Sequence, residues 1–260
     1  MGKENVTYLL VDIGNTSFHI YYFDKYGESF KMHSIKDLIP LLQVVIKNTS
    51  KVYISYVNSL KLQELIRALE DNNFKDYIII DTLLLEEKIH QLGFNIDNLK
   101  VLGSDLLFDV LGASKLSLVA DYGTASKIMY VDNNCNLVGG VIGPGLYILN
   151  VSLSLSTEKL DSFKVRTPSK MFSLKTKDAI NSNATYGEAF KLLGYYNKLK
   201  EKNQALKLII CGGDGKIISD VLSKKLDFND FELDELITFK GISKVFDLDI
   251  DFNLTKKGIK

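Results

Sequence analysis

The strongest constraint on the fold is a motif that occurs twice, an apolar strand-like run that ends in Asp-x-Gly and is followed by a second such run. In the first copy Asp12-Ile13-Gly14-Asn15-Thr16 joins the runs 6–11 and 18–23, and in the second Asp121-Tyr122-Gly123-Thr124-Ala125 joins 116–120 and 128–131. Each copy predicts a β-hairpin whose tip carries a glycine and a hydroxyl residue. Because Asp12 and Asp121 are 109 residues apart, the repeat predicts two similar domains.

Alternating helical and strand-like segments surround both hairpins. In the first half, periodicity predicts strands over 28–33, 52–56 and 77–80 and helices over 37–46 and 60–69. In the second half it predicts a strand over 137–142 that ends at Pro144-Gly145, a long helix beginning at Thr176, a buried strand over 206–211 and a helix over 216–222. The predicted fold class is α/β, with domains at 1–113 and 114–260. No Pro-rich or Ser-rich linker separates them, so we expect a rigid pair.

Composition and charge argue against several functions. Apolar residues make up 46% of the 260 residues and charged residues 25%, which is typical of globular proteins. The 32 Lys and Arg residues cancel the 32 Asp and Glu residues, so we expect neither nucleic acid nor a membrane as a partner. Only Arg67 and Arg166 are arginines. A phosphate group would therefore be held mainly by backbone amides, lysines, hydroxyls or a metal ion.

The cysteine pattern and the lack of long apolar runs indicate a cytoplasmic protein. Cys135 and Cys211 are the only cysteines, and they support neither a disulfide framework nor a thiolate metal site. No apolar run approaches the roughly 20 residues of a membrane span, and the first residues have no signal-peptide pattern. The three histidines, His19, His33 and His90, lack metal-ligand spacing, and we expect them to be structural or on the surface.

The Asp-x-Gly turns are candidate phosphate-binding elements. Backbone N–H groups at a glycine turn converge on one point and can bind phosphate oxygens without a guanidinium group. The carboxylate of Asp12 could hold a magnesium ion or its waters, because hard divalent cations prefer oxygen ligands. A single Asp-x-Gly-Asn segment considered alone favours an ordinary turn with no ligand, but its second occurrence on a second strand favours binding.

A third glycine turn favours a nucleotide-binding fold. Gly212-Gly213-Asp214-Gly215 follows a buried strand and has the form of a βα turn that a nucleotide can approach, although tight turns also use glycine without any ligand. The P-loop and Rossmann patterns are both absent. Two hairpin turns and a late Gly-Gly turn instead favour the actin-like ATPase and sugar-kinase class.

Five segments in order resemble the type III pantothenate kinase family over nearly the whole chain. They are Asp12-Ile13-Gly14-Asn15-Thr16, Gly103-Ser104-Asp105, Asp121-Tyr122-Gly123-Thr124-Ala125, Gly139-Gly140-Val141-Ile142-Gly143-Pro144-Gly145 and Gly212-Gly213. The resemblance implies two actin-like (ribonuclease H-like) domains with an ATP cleft between them. It implies ATP-dependent phosphorylation of pantothenate to 4′-phosphopantothenate, the first step of coenzyme A biosynthesis, by a homodimer.

The same resemblance implies roles for individual residues. Asp105 would be the general base that takes the proton of the pantothenate hydroxyl, and Asp121 would bind a monovalent cation, K⁺ or NH₄⁺. Asp12 would also handle Mg²⁺. The residues implied to bind ATP are Asp12, Gly14, Asn15, Thr16, Thr124, Gly212 and Gly213. Those implied to bind pantothenate are Phe94, Gly103, Ser104, Asp105 and, from the neighbouring subunit, Thr176. Considered alone, Asp105 could be an ordinary first-turn acidic residue, and Thr176 could be a helix N-cap.

Several positions depart from the family pattern. Leu106 stands where the motif has an arginine, Phe94 replaces the usual tyrosine, and Met129 replaces an aspartate. We hypothesise that the ammonium group of Lys127 lies where the monovalent cation would bind beside Asp121. The departures leave two further functions open. The chain could be a catalytically impaired member that acts as a regulatory or ligand-binding protein, or an enzyme with a different acceptor.

Overall fold

The structure is a computed structural model that describes residues 6–92, 102–156 and 163–256. It contains two five-stranded sheets with the same strand order. The chain divides into two compact units, the first comprising Met1–Gly112 and Leu236–Lys260 and the second Ala113–Glu235. Among the described residues, none of the helices is long and apolar enough to cross a bilayer.

The first unit is built on a sheet with the order β3-β2-β1-β4-β5. Its strands are β1 (Tyr8–Ile13), β2 (Phe18–Phe23), β3 (Gly27–Met32), β4 (Lys51–Tyr56) and β5 (Tyr77–Ile79). β1, β2 and β3 are antiparallel neighbours, whereas β4 and β5 run parallel to β1. The helices are α1 (Ile35–Val45), α2 (Ser59–Asp71), α3 (Thr82–Gln91), α4 (Ser104–Gly112) and, from the end of the chain, α9 (Ile237–Val245). Short 3₁₀ turns lie at Ile46–Asn48 and Phe252–Leu254.

The second unit repeats this arrangement, with the order β10-β9-β6-β7-β8. Its strands are β6 (Ser117–Tyr122), β7 (Ala125–Val131), β8 (Leu137–Pro144), β9 (Lys207–Cys211) and β10 (Glu232–Leu233). The helices are α5 (Leu146–Ser156), α6 (Thr176–Ser182), α7 (Glu188–Lys200) and α8 (Gly215–Lys225), with a π-helical turn over Asn183–Gly187 that joins α6 to α7. As in the first unit, three antiparallel strands precede two that are parallel to the first of them.

The local sequence explains why these elements form and where they begin. β1 and β6 are central strands, and their nearly continuous apolar runs are typical of strands covered on both faces. The carboxylate of Asp81 accepts from Leu84 N at 2.8 Å and caps α3. Asn58 caps α2 in the same way through the amides of Leu60 and Lys61.

The predicted fold class is confirmed, and the differences lie at the ends of elements. β1 and β6 each extend two residues beyond the predicted runs, so that Asp12 and Asp121 are the fifth residues of their strands rather than the first residues of turns. Thr176 is the first residue of α6, whose N-cap is Lys175, so the alternative interpretation of Thr176 as an N-cap is wrong. Sequence periodicity missed α3, α9 and β10.

The last part of the chain differs from the predicted domain division. The segment after Glu235 was expected to belong to the second domain, at 114–260, but it groups with the first unit. A Cβ atom on Gly112 would overlap the carbonyl oxygen of Ile237, and one on Gly241 would overlap that of Phe108. Two glycines thus let α4 and α9 pack with their backbones in direct contact, an arrangement that larger residues would prevent.

Candidate functional site

Each unit places one aspartate near the carboxyl end of its central strand, where ligands bind in open α/β sheets. Asp12 on β1 lies opposite His19 of β2 and Ser55 of β4. Asp121 occupies the same position on β6, opposite Lys127 of β7 and Cys211 of β9. The two copies of the motif therefore share their backbone geometry but present different neighbours to the carboxylate.

In the first unit, Asp12 is held by a buried hydroxyl. Ser55 Oγ donates to Asp12 Oδ1 at 3.0 Å and lies 3.0 Å from Ser104 Oγ. The Ser104 hydroxyl donates to the Ser55 oxygen and also lies 2.9 Å from the carbonyl oxygen of Tyr56, a second acceptor. Ser55 is fully buried. A hydrogen-bonded path therefore runs from the first phosphate-turn candidate to the start of α4.

The predicted general base lies in the first turn of α4. Gly103 accepts the first helical hydrogen bond, from Leu107 N at 3.2 Å. The carboxylate of Asp105 accepts from Leu106 N at 2.8 Å and lies so close to Gly103 that a Cβ atom there would collide with Oδ1. The half-exposed Asp105 carboxylate is therefore held at the helix N-terminus, against Gly103.

The tip of the first hairpin exposes the predicted phosphate contacts. Gly14 N donates to Ser17 O at 3.0 Å and closes the turn, while Asn15 and Thr16 are exposed. Backbone and side-chain donors thus lie at the edge of the sheet that carries Asp12, which suits an anion.

In the second unit, three of the glycine turns converge. Gly212 has φ +82°, and a Cβ atom on it would overlap Asp121 Oδ1 and the carbonyl oxygen of Tyr122. Gly145 packs in the same way on the carbonyl oxygens of Gly123 and Thr124, and its N–H donates to Thr124 O at 3.0 Å. Both contacts are possible only for glycine. The structure therefore brings Asp121, Gly123, Thr124 and the turn at Gly212-Gly213 into one cluster.

Lys127 forms an ion pair with Asp121 across β6 and β7. Its Nζ lies 2.7 Å from Asp121 Oδ2, and the two side chains are only 15% and 13% exposed. A monovalent cation at this oxygen would have to displace the ammonium group. These residues therefore do not fit a separate potassium ion at the same place, whereas a half-buried carboxylate such as Asp12 fits a magnesium ion.

A second ion pair, between Lys191 and Glu188, lies close to Ser126 on β7. Lys191 pairs with Glu188 at 2.5 Å and lies 3.4 Å from Ser126 Oγ. Burial raises the pKa of Tyr122 far above its usual value, and the charge of Glu188 raises it further. Tyr122 therefore stays protonated at physiological pH.

A cavity of about 440 Å³ lies beside the Gly212-Gly213 turn in the second unit. Its lining combines aromatic, aliphatic and charged side chains: Tyr147, Phe163, Lys164, Val165, Asp214 and Ile217. A planar base could stack on such a surface.

The remaining predicted positions have varied outcomes. Thr176 is exposed at the start of α6. Leu106 and Met129 are 7% and 1% exposed, so both departures from the family pattern contribute apolar side chains to the interior. Phe94 lies outside the described residues. Ser55 was missed, although a serine near the end of the predicted strand 52–56 could have drawn attention to it.

The repeated strand order and the carboxylate near the end of each central strand place the chain in the actin-like ATPase and sugar-kinase class. Within that class the chain belongs to the type III pantothenate kinase family, whose family model matches residues 8–198. The family is one of kinases.

Curated relatives agree with this assignment, and a solved structure shares the fold. The type III pantothenate kinase of Agathobacter rectalis is 27% identical over 256 residues, covering 92% of this chain and 96% of that protein. The one of Methylacidiphilum infernorum is 27% identical over 246 residues, covering 90% and 86%. The crystal structure of a Baf family protein from Campylobacter jejuni has a TM-score of 0.58 at 24% identity, covering 92% of this chain and 97% of that one. This last likeness shows the fold.

Proposed function

We propose that the chain transfers the γ-phosphoryl group of ATP to the primary hydroxyl of pantothenate, giving 4′-phosphopantothenate and ADP. The observation that carries the proposal is the position of Asp105. Its carboxylate is fixed at the N-terminus of α4 by Leu106 N and the close approach to Gly103, and it stays half exposed. In a member of a kinase family, this is the position of a base that an acceptor hydroxyl could reach.

Different residues would accept the proton, hold the metal ion and bind the phosphates. As the hydroxyl oxygen forms its bond to phosphorus and the bond to ADP breaks, Asp105 accepts the hydroxyl proton. Asp12 would hold a magnesium ion, which neutralises charge on the phosphates when bound. Gly14, Asn15, Thr16 and Thr124 would donate to phosphate oxygens.

The nucleoside would lie against the second unit. The Gly212-Gly213 turn offers an uncovered backbone, and the adjoining cavity offers the rings of Tyr147 and Phe163 for stacking. Both features support adenosine binding there.

We further propose that Lys127 takes the place of the monovalent cation. An ammonium group at 2.7 Å from Asp121 Oδ2 supplies the same single positive charge that a potassium ion would. This charge is fixed to the chain, so turnover should proceed without potassium.

Gly103 and Ser104 would contact pantothenate, and Thr176 would do so from a second subunit. A homodimer is supported by large apolar side chains that the second unit leaves exposed, among them Val138, Ile142, Leu155, Phe172 and Leu174. Ile142→Asp should shift the mass measured by light scattering from dimer to monomer. Leu60→Asp, at an equally exposed position on α2 of the first unit, should not.

Both cysteines are buried and neither forms a disulfide, which agrees with a reducing, cytoplasmic compartment.

Product formation from purified protein, ATP, Mg²⁺ and pantothenate tests the proposed reaction. Asp105→Asn should lower kcat by about a hundredfold or more, since a positioned base contributes that much. Asp37→Asn is the matched control, because Asp37 is also an acidic first-turn residue, on α1. Its kcat should stay within about twofold. An unchanged rate for Asp105→Asn would show that another group accepts the proton.

A second candidate function is ligand binding without turnover. The buried Leu106 favours it, because an apolar side chain there cannot supply the charged donor of the family motif. Calorimetry separates the two functions: binding of ATP and pantothenate with no product in the assay would favour a regulatory or ligand-binding member.

A further inference from the structure

We infer that Ser55 is a positioning residue that fixes the carboxylate of Asp12 relative to the start of α4, where Asp105 lies. This inference rests on the proposed function, because it assigns Ser55 a part in aligning the phosphate site with the base. Neither the family pattern quoted above nor the repeat of the motif assigns Ser55 a role.

The register of the sheet places Ser55 where this link can form. β1 and β4 are parallel, and Asp12 and Ser55 are directly paired near their carboxyl ends. The chain then leaves β4 through Tyr56 and Val57, and Val57 N donates to Ile13 O at 2.9 Å. The strand pair is thus continued past both residues, so the Ser55 side chain has a fixed position relative to Asp12.

The number of protons on each hydroxyl decides which group donates in each hydrogen bond of the link. A hydroxyl has one proton to donate, and the charged carboxylate of Asp12 is the stronger acceptor. Ser55 therefore donates to Asp12 at 3.0 Å, and its oxygen lies 3.0 Å from Ser104 Oγ. Ser104 is therefore the donor to the Ser55 oxygen, and the carbonyl oxygen of Tyr56, at 2.9 Å, is a second acceptor for the same proton. Because Ser55 is fully buried, water does not compete for these bonds.

In the second unit, a cysteine occupies the position that corresponds to Ser55. Cys211 is the residue of β9 paired with Asp121, and a thiol is a weak donor. There the carboxylate is held instead by Lys127 from the opposite neighbouring strand. In the first unit that opposite residue is His19, whose Nε2 bonds to Ser29 Oγ at 3.1 Å. Ser55 is therefore the hydroxyl that orients Asp12.

The link matters for catalysis because it spans two functional groups. Ser104 is the first residue of α4 and Asp105 the second. A displacement of about 1 Å in a reacting group can lower a rate about a hundredfold. Loss of the Ser55 hydroxyl should therefore reduce kcat more than the affinity for pantothenate.

Steady-state kinetics of Ser55→Ala test the inference, with Ser117→Ala as the matched control. Ser117 is also fully buried and lies at the start of β6, but its hydroxyl donates to the carbonyl oxygen of Ser114, at 2.7 Å. Ser117→Ala loses one buried hydrogen bond to a carbonyl oxygen, whereas Ser55→Ala loses the bonds to Asp12 and Ser104, so Ser55→Ala should be the less stable variant. Ser55→Ala should lower kcat about tenfold to a hundredfold and raise the Mg²⁺ concentration needed for half-maximal rate, with little change in KM for pantothenate. Ser117→Ala should change neither.

Two more variants keep the test independent of folding. Ser55→Thr retains the hydroxyl and should recover part of the rate. The double variant Ser55→Ala/Ser104→Ala should have a kcat close to that of Ser55→Ala, because both serines belong to one path, and a higher KM for pantothenate, which Ser104 would contact. Equal kcat and equal Mg²⁺ response in wild type and Ser55→Ala would overturn the inference while leaving the proposed function in place.

If the wild-type protein makes no product, the proposed function fails and binding decides the inference. Calorimetric titration with ATP should then give an affinity that Mg²⁺ strengthens in the wild type but not in Ser55→Ala. The same Mg²⁺ dependence in both proteins, or none in the wild type, would overturn the role assigned to Ser55.

Discussion

Lys127 Nζ lies 2.7 Å from Asp121 Oδ2, directly across the β6–β7 hairpin, and the two side chains are largely buried. The corresponding residue of the first hairpin, opposite Asp12, is His19. The second copy of the motif therefore has a charged partner built into its hairpin. Since the pair is intramolecular, its positive charge is present at every potassium concentration.

We predict that the rate of the wild-type enzyme does not depend on potassium or ammonium ions, and that Lys127→Ala makes it do so. Removal of the lysine side chain leaves the Asp121 carboxylate beside a space that a monovalent cation can enter. Initial rates should be measured in sodium and potassium buffers of equal ionic strength. A wild-type enzyme that requires potassium would contradict the proposal.

The same substitution also has an effect on stability that can be measured without turnover. Removing one partner of a buried ion pair costs about 3 kcal/mol or more of the free energy of unfolding. Lys198→Ala is the control, because Lys198 pairs with Glu201 at an exposed position and such pairs are worth about 1 kcal/mol or less. Urea unfolding of both variants should show the difference.

We predict that Gly212→Ala displaces the glycine turn beside Asp121 and weakens ATP binding. The substitution places a methyl group onto Asp121 Oδ1 and Tyr122 O at a φ of +82°, so the turn must move away from the end of β6. ATP affinity should fall by about tenfold or more, which corresponds to about 1.4 kcal/mol.

Gly194→Ala is the matched control for this substitution. Gly194 lies within α7, and a Cβ atom there meets no other atom within 4 Å. Alanine should raise stability by about 1 kcal/mol through helix propensity and leave ATP binding unchanged. Calorimetric titration with ATP measures the first effect and thermal unfolding the second. Equal ATP affinities in both variants would show that the Gly212 turn is not part of the nucleotide site.

How far the sequence could predict the site depends on the range of each contact. Both hairpins were predictable because their strands are adjacent in the chain, and the pairing of Asp121 with Lys127 follows from the local register. The contact between Ser55 and Asp12 was not, because it requires that β4 lie parallel to β1 in register, and 43 residues separate the two side chains. Periodicity describes which face of an element is apolar but not which strand lies beside it.

The place of the C-terminal segment shows the same limit. Glycines 112 and 241 allow α4 and α9 to touch, yet in the sequence they are ordinary glycines near helix ends. Thr238 Oγ1 donates to Asp109 Oδ1 at 2.6 Å across 129 residues. No local pattern distinguishes this threonine from an exposed one, so the end of the chain was predicted to belong to the second domain.

We predict that Thr238→Val destabilises the protein by about 1 to 3 kcal/mol, because the nearly buried Asp109 carboxylate loses a donor. Thr238→Ser keeps the hydroxyl and should cost about 1 kcal/mol or less. Chemical unfolding of the two variants gives the comparison. If valine and serine were equally tolerated, the Thr238 hydroxyl would contribute nothing to the packing of α9 on α4.

The stability of the folded protein should depend on pH through His19. Burial and, to a smaller extent, the charge of Lys31 together lower the pKa of His19 to about 4, whereas an unfolded histidine has a pKa near 6.5. The His19 ring packs against Phe239, with 4.6 Å between ring centres, and its Nε2 bonds to Ser29. Protonation therefore favours the unfolded state.

The direction of the pH effect follows from proton binding. Above pH 6.5 His19 is neutral in both states and carries no penalty. As the pH falls from about 6.5 to about 4, the unfolded chain gains a proton that the folded protein does not, so stability falls by about 2 to 3 kcal/mol. His19→Asn should remove this part of the decline, and the exposed His90→Asn should keep it. Urea midpoints measured at several pH values test this, and parallel curves for wild type and His19→Asn would show that His19 does not titrate as described.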